Sequence, residues 1–380
     1  MGKFKSIICI ALAVLLAASC LAGCTEKEEF DLKKMVLSEE QVADIKTEVE
    51  ELLEPEKFYG AISVVLNENT VYEEYFGHIN GNGESVNADS VFLVNSATMV
   101  FTAVAIHQLD EQGLLSLDDS LIKYYNAGDY AYLGEVTIED LLDMSVSLGN
   151  YPTEMHGEQK TWNKLVRKGN SKKKNAGKEI REMIEEHILD TGIVSSDIAK
   201  SNYYILGRII EKASGMSYEE YLEKNIFDKL GLKNTGFVSK EKETFGYNIT
   251  TNKWVAQSYY TLMCNFDYLF ASSGMISSLS DMNKFYRAVL DKQLCEADII
   301  KKAVKKGAGF HYGFETDGKT VSISAGLNIH RSYMRINPET EEMVNIFACS
   351  VGGTEPSQFG EEIYREVNSK VNRVILENSD

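Results

Sequence analysis

Residues 92–121 read FLVNSATMVFTAVAIHQLDEQGLLSLDDSL. Val100, Ala103, Val104, Ile106 and Leu109 recur at helical spacing, which predicts a helix led by Ser96 and ending near Gly113. The stretch LLSLDDSLIKYY (114–125) then reads as an ordered loop. Ser96 and Met99 stand one helical turn apart on the same face. A serine hydroxyl becomes a nucleophile only beside a base. The Met99 thioether can neither accept that proton nor carry a positive charge. The stretch therefore places a serine where chemistry could start and leaves out the group that would start it.

Outward from this helix, Ser38-Glu39-Glu40-Gln41 has the pattern of a capping box, followed by Val42, Ile45, Val49, Leu52 and Leu53 on one face. YGAISVVLNENTVYEEYFG (59–77) holds two apolar runs around Asn67-Glu68-Asn69, the pattern of a β-hairpin. A further helix starts near Ser201 (SNYYILGRIIEKASG). Towards the C-terminus, KTVSISAG and SYMRINPETEEMVNIFACS read as strands with a turn at Pro338-Glu339, and an amphipathic helix closes the chain from about Glu361 to Leu376. Strands at both ends with a helical block between predict an α+β fold, an antiparallel β-sheet flanked by helices with an inserted helical lobe. The charged stretch at about 153–192, with its basic run from Arg167 to Lys178, is expected to be a solvated helical insertion within a domain over 36–380.

The first residues, MGKFKSIICIALAVLLAASCLAGC, carry two lysines, an apolar run and small residues, as in a secretory signal peptide over 1–23. Leu21-Ala22-Gly23-Cys24 resembles a bacterial lipobox, which implies a lipidated Cys24, a tether over 24–35 and an extracytoplasmic location on the cell membrane. Removing 1–23 takes away two lysines and no acid, so the net charge of −18 becomes about −20. Such a surface argues against nucleic acid as a partner. Cys264, Cys295 and Cys349 are too few and too widely spaced for a disulfide framework, and no Cys/His cluster has zinc spacing. Neither a metal nor another cofactor is expected.

Several stretches, in order, resemble the serine β-lactamase and penicillin-binding-protein family, particularly its class C and esterase-like branch. They are the hairpin, the opening stretch with its Gly-x-Leu-x-Leu-Asp-Asp tail, VTIEDLLDMSVSLGNY, SNYYILGRIIEKASGMSYEEYLEKNIFDKLGLKNTGF, ASSGMISSLSDMNKFYRAVL, YGFE and the last two strands. The resemblance runs from about Phe58 to the C-terminus apart from the insertion, and it implies three catalytic motifs. Ser-x-x-Lys becomes Ser96-Ala97-Thr98-Met99, with a methionine that fills the lysine's volume without its chemistry. Tyr-x-Asn aligns without a gap on Ile198-Ala199-Lys200, or with a two-residue shift on Lys200-Ser201-Asn202. The ungapped choice is preferred, since two residues turn a helix face by about 200°. Under the shifted one, Lys200 is a candidate relocated base. Lys/His-Thr/Ser-Gly becomes Ser324-Ala325-Gly326, where Gly326 leaves room for a ligand beside the backbone. The implied oxyanion hole is the backbone N–H pair of Ser96 and Leu327. The Leu-Leu-x-His-x-Ser-Gly segment of esterase-like members reads Leu141-Leu142-Asp143-Met144-Ser145-Val146-Ser147, without its histidine. His330, expected at the pocket mouth, and His311 are the histidines that could stand in.

Losing a general base alone slows such chemistry by about 10²–10⁴-fold. The leading expectation is therefore a tethered, catalytically impaired homologue that binds a cell-wall peptide or a protein partner, with Met99, Ile198, Ser324, Gly326 and Leu327 lining the cleft. The alternative is a slow or rewired hydrolase using Ser96 with Lys200 or His330. A third reading is a structural surface protein with a collapsed cleft. Ser96 itself is expected to cap or pack at the helix start.

Overall fold

A computed structural model describes residues 38–53, 58–66, 69–126, 130–149, 151, 163–165, 167, 168, 176–195, 200–239, 244–248, 251–256, 265–327, 329–350, 363, 365, 367 and 369. The expected signal peptide, Cys24, Ile198 and Cys264 lie outside this set. Among the described residues no helix is long and apolar enough to cross a membrane.

Helix α1 (Glu39–Leu53) begins at the expected capping box, where the Ser38 N–H donates to Gln41 Oε1 at 2.6 Å and the Gln41 N–H donates to Ser38 Oγ at 3.2 Å. Strands β1 (Gly60–Leu66) and β2 (Asn69–Phe76) form the hairpin. After β3 (Phe92–Leu93), a 3₁₀ turn over Asn95–Ala97 leads into α2 (Thr98–Glu111). The helical block contains α3 (Ile138–Leu142), α4 (Ala176–Thr191), α5 (Lys200–Ser214), α6 (Tyr218–Leu222) and α7 (Asp228–Leu230), with the strand pair β4 (Ser147–Leu148) and β5 (Ile193–Val194). Next come β6 (Gly236–Phe237), the hairpin β7 (Phe245–Asn248) and β8 (Lys253–Ala256), α8 (Phe266–Ser273), β9 (Met275–Ser277), α9 (Leu279–Leu290) and α10 (Ile299–Lys306). The chain returns to strands in β10 (Gly309–His311), β11 (Phe314–Thr316), β12 (Val321–Leu327), β13 (His330–Asn337) and β14 (Glu342–Ala348).

The main sheet is antiparallel in the order β10-β11-β12-β13-β14-β1-β2, so the N-terminal hairpin docks beside the C-terminal strand β14. Side chains alternate across such a sheet, and its register assigns them to two cores. Ala61, Phe347, Ser332 and Ala325 form one cross-strand row on the face packed against the helical block. Ile62, Ile346, Tyr333 and Ser324 form the adjacent row on the opposite face, where Ile363 and Val367 of the C-terminal segment also pack. The molecule is thus α+β, with helices on both faces of an antiparallel sheet.

The expected solvated insertion is corrected in its second half. Ile180, Ile184 and Ile188 of α4 are buried in the main core. Arg181 reaches from the same helix to Asp267 at 2.7 Å, Glu211 at 2.9 Å and Glu219, with its guanidinium 4.5 Å above the Phe270 ring. The charges there satisfy one another in the interior. Most of 153–175 lies outside the described residues.

Candidate active-site groove

The turn that carries Ser96 is made by Asn95, a buried non-glycine residue at φ +51°. Left-handed backbone is uncommon for such a residue and persists where surroundings dictate it. Here the surroundings are hydrogen bonds from both sides. The Val94 N–H donates to Met275 O at 3.1 Å, Ser332 Oγ donates to Val94 O at 3.1 Å, and the Met275 N–H donates to Thr98 Oγ1 at 3.3 Å. Gly313 closes the other side at φ +89°, and a Cβ there would lie 2.8 Å from the Val100 amide nitrogen. Only glycine fits that approach.

Ser96 is half-buried, and its hydroxyl hydrogen-bonds to no described residue. It does not cap the helix: the cap position of α2 is Ala97, with no side-chain cap bond. Met99 is 1% exposed within the main apolar cluster, so a ligand beside Ser96 would meet it only if its neighbours shifted.

Beside this turn runs β12. Strand β11 pairs with it only through Glu315↔Ser322 and Thr316↔Val321, so Ile323–Leu327 has no strand partner on that side among the described residues. Such an edge offers unpaired N–H and C=O groups to an extended chain. Gly326 lies across from Arg331 and Leu327 across from His330, while the Leu327 side chain is outside the described set. Ser324 belongs to the row of Tyr333 and Ile346, on the sheet face away from Ser332 and the Val94 carbonyl it bonds. What the third motif presents to the Ser96 turn is its backbone and Ala325.

Lys200 is half-buried at the first turn of α5, and burial holds its amine below the usual lysine range. Among the described residues it has no ion-pair partner. The next two side chains turn inward. Ser201 Oγ bonds the Gly149 carbonyl and accepts from the Tyr151 N–H at 3.2 Å. Asn202 accepts from the Leu148 N–H at 2.9 Å and donates to Val146 O at 2.6 Å. They fasten the Leu141–Gly149 segment, a role that a Ser-Asn pair at a helix start could have signalled.

The expectation of His330 at the pocket mouth is corrected. It is 1% exposed, and neither ring nitrogen has a hydrogen-bond partner among the described residues. Burial, with Arg331 beside it, lowers its pKa to about 4, so it is neutral and shielded at pH 7. His311 Nδ1 lies 2.8 Å from the Asp143 carbonyl, next to the Tyr312–Gly313 turn. Tyr312, at φ +53°, donates its hydroxyl to Glu139. Tyr312 gives no sign of its left-handed backbone in the sequence; Asn95 is of a type that tolerates one, but it stands in an apolar run with no turn pattern around it. Cys295 and Cys349 are buried free thiols, and no group of three or more His, Cys, Asp or Glu side chains among the described residues could hold a metal.

The Ser96 turn and the β12 edge thus offer a serine hydroxyl, an open strand edge and no described base in contact with that hydroxyl. PbpX of Bacillus subtilis (strain 168) is 24% identical over 364 residues, covering 93% of this chain and 86% of its own. Among solved structures, FmtA from Staphylococcus aureus superposes with a TM-score of 0.68 at 17% identity, over 88% of this chain and 91% of that one. D-amino acid amidase from Ochrobactrum anthropi SV3 gives a TM-score of 0.67 at 19% identity, over 89% of this chain and 100% of the amidase. At those identities the likeness is one of fold. The Beta-lactamase family model matches residues 46–368, and the chain belongs to that family.

Proposed function

We propose that this protein, held outside the cell by a lipidated Cys24, binds an extended peptide from the cell wall along the open edge of β12 and turns it over slowly or not at all. The observation that carries the reading is the pairing of Ser96 with Met99: the hydroxyl has no described hydrogen-bond partner, and the residue one turn on is a buried thioether. The edge supplies main-chain hydrogen bonds, as in strand addition, and the left-handed Asn95 with the Gly313 contact keeps the turn from collapsing onto it.

The test is covalent labelling of the purified protein with a fluorescent penicillin and a fluorophosphonate, with Ser96→Ala as control, beside calorimetric binding of cell-wall peptides. No labelling together with binding is expected. Rapid hydrolysis of an ester or amide that disappears in Ser96→Ala would overturn the reading.

A second reading has one observation in its favour. Lys200 is desolvated and unpaired among the described residues, which suits a general base with a lowered pKa. If it drives slow turnover, Lys200→Ala abolishes Ser96-dependent product; unchanged turnover in that variant removes it from consideration.

A further inference from the structure

The chain after β2 contains two Asn-Gly dipeptides in succession, Asn80-Gly81 and Asn82-Gly83. Asn-Gly is a turn-forming pair, and here it closes a short antiparallel extension in which His78 pairs with Ser85 and the Ile79 N–H donates to Glu84 O at 2.8 Å. The same pair is chemically labile, and asparagine is among the thermolabile residues. The glycine amide nitrogen can attack the asparagine side-chain carbonyl. A new C–N bond forms, the bond to the side-chain nitrogen breaks, and ammonia leaves with the glycine's proton. Water then opens the cyclic imide at either carbonyl, giving aspartate or isoaspartate with no change of oxidation state.

The two sites share this chemistry but not their restraints. Asn80 has both ends of its carboxamide engaged, Nδ2 donating to Glu84 Oε2 at 2.7 Å and Oδ1 accepting from the Asn82 N–H at 3.0 Å. Its partner Gly81 lies against the Trp254 ring, where even a Cβ would come within 3.1 Å. Asn82 is exposed, and its side chain bonds no described residue. Gly83 sits at φ +79° in open space, its amide held only by a 3.4 Å bond to Asn80 O. That backbone can rotate to bring its nitrogen onto the Asn82 carbonyl carbon.

We infer that Asn82 is a site of spontaneous modification to aspartate and isoaspartate, while Asn80, two residues away, is protected by the turn. The product adds a carboxylate beside Glu84 to a chain already at −18. The isoaspartate form also inserts a methylene into the backbone of a turn that rests on Trp254 of β8.

The test is prolonged incubation of the whole protein in mildly alkaline buffer, followed by peptide mapping with mass spectrometry. Acid is expected to accumulate at 82 about tenfold faster than at 80, the factor that one or two net hydrogen bonds supply. Glu84→Ala, an exposed change that leaves the fold intact, is expected to release the Asn80 carboxamide and raise its rate severalfold. Equal rates at the two positions in the folded protein, or an Asn80 rate indifferent to Glu84→Ala, would overturn the assignment. So would an Asn82 that stays unmodified while the denatured chain reacts.

Discussion

Ser96, in the 3₁₀ turn, and Met99, in the first turn of α2, differ in what holds them. The Ser96 hydroxyl bonds no described residue and caps no helix, so Ser96→Ala should change stability by no more than about 0.5 kcal/mol in urea denaturation. Met99 is enclosed, so Met99→Ala should lose about 2–4 kcal/mol by lost transfer energy and the cavity left behind. Equal effects would mean that the two environments are misassigned. His330 adds a pH dependence. Its ring titrates near 6.5 in the unfolded chain and at about 4 when folded, so on acidification the unfolded state binds the proton first. Stability is therefore complete above 6.5 and declines as pH falls towards 4. Fully expressed, the loss is about 3 kcal/mol. Thermal melts of the wild type and His330→Leu between these limits check it: the variant should show a shallower decline. His107, also buried and lowered to about 3, retains its own share of the slope.

At the scale of elements, the signals that survived from sequence to structure were local. The capping box at Ser38, the hairpin around Asn67, the Ser96 helix and the strand–turn–strand after His330 depend on residues a few positions apart, and each stands where its pattern placed it. The open edge of β12 was not legible, because it depends on where β11 stops pairing, a contact that no run of residues encodes. The face of Ser324 was hidden for the same reason: it follows from register with β13 and β14. Helix α4 shows the limit of charge as a guide to exposure. Its Arg181 looked like a solvated residue and is 9% exposed, joined to acids on α5, α6 and α8. Removing one partner of a buried ion pair leaves the others uncompensated. Arg181→Met should lose about 3–5 kcal/mol in denaturant titration, and Arg181→Lys should recover part of it, since a point charge cannot span three carboxylates as a guanidinium does. If Arg181→Met were as stable as wild type, the network would be incidental to the lobe.

Over the whole molecule, the strand that closes the sheet is the last one described. β1 sits between β2 and β14, with Ala61 opposite Phe347 and Ile62 opposite Ile346. The hairpin forms early in the chain but cannot bury both faces until β14 arrives, and such long-range closure makes folding slow relative to local helix formation. Cys349 reports on this step. It follows β14 with no exposed surface, its N–H donates to Tyr59 O at 2.8 Å, and burial pushes its thiol up to about 12. A thiol in that state reacts only after the strand leaves the sheet. In a Cys264→Ser variant, Cys349 should therefore resist thiol reagents in the native protein and react at a rate that follows global unfolding as denaturant rises. Cys295, 8% exposed in the segment between α9 and α10, lies away from the β1–β14 seam and serves as the internal comparison. If Cys349 reacted in native buffer while Cys295 did not, β14 would open without the rest of the molecule. The open edge of β12, two strands away, would then belong to a sheet that breathes. If both stay silent until the cooperative transition, the sheet is one unit, and the β12 edge beside Ser96 is as rigid as the core beneath it.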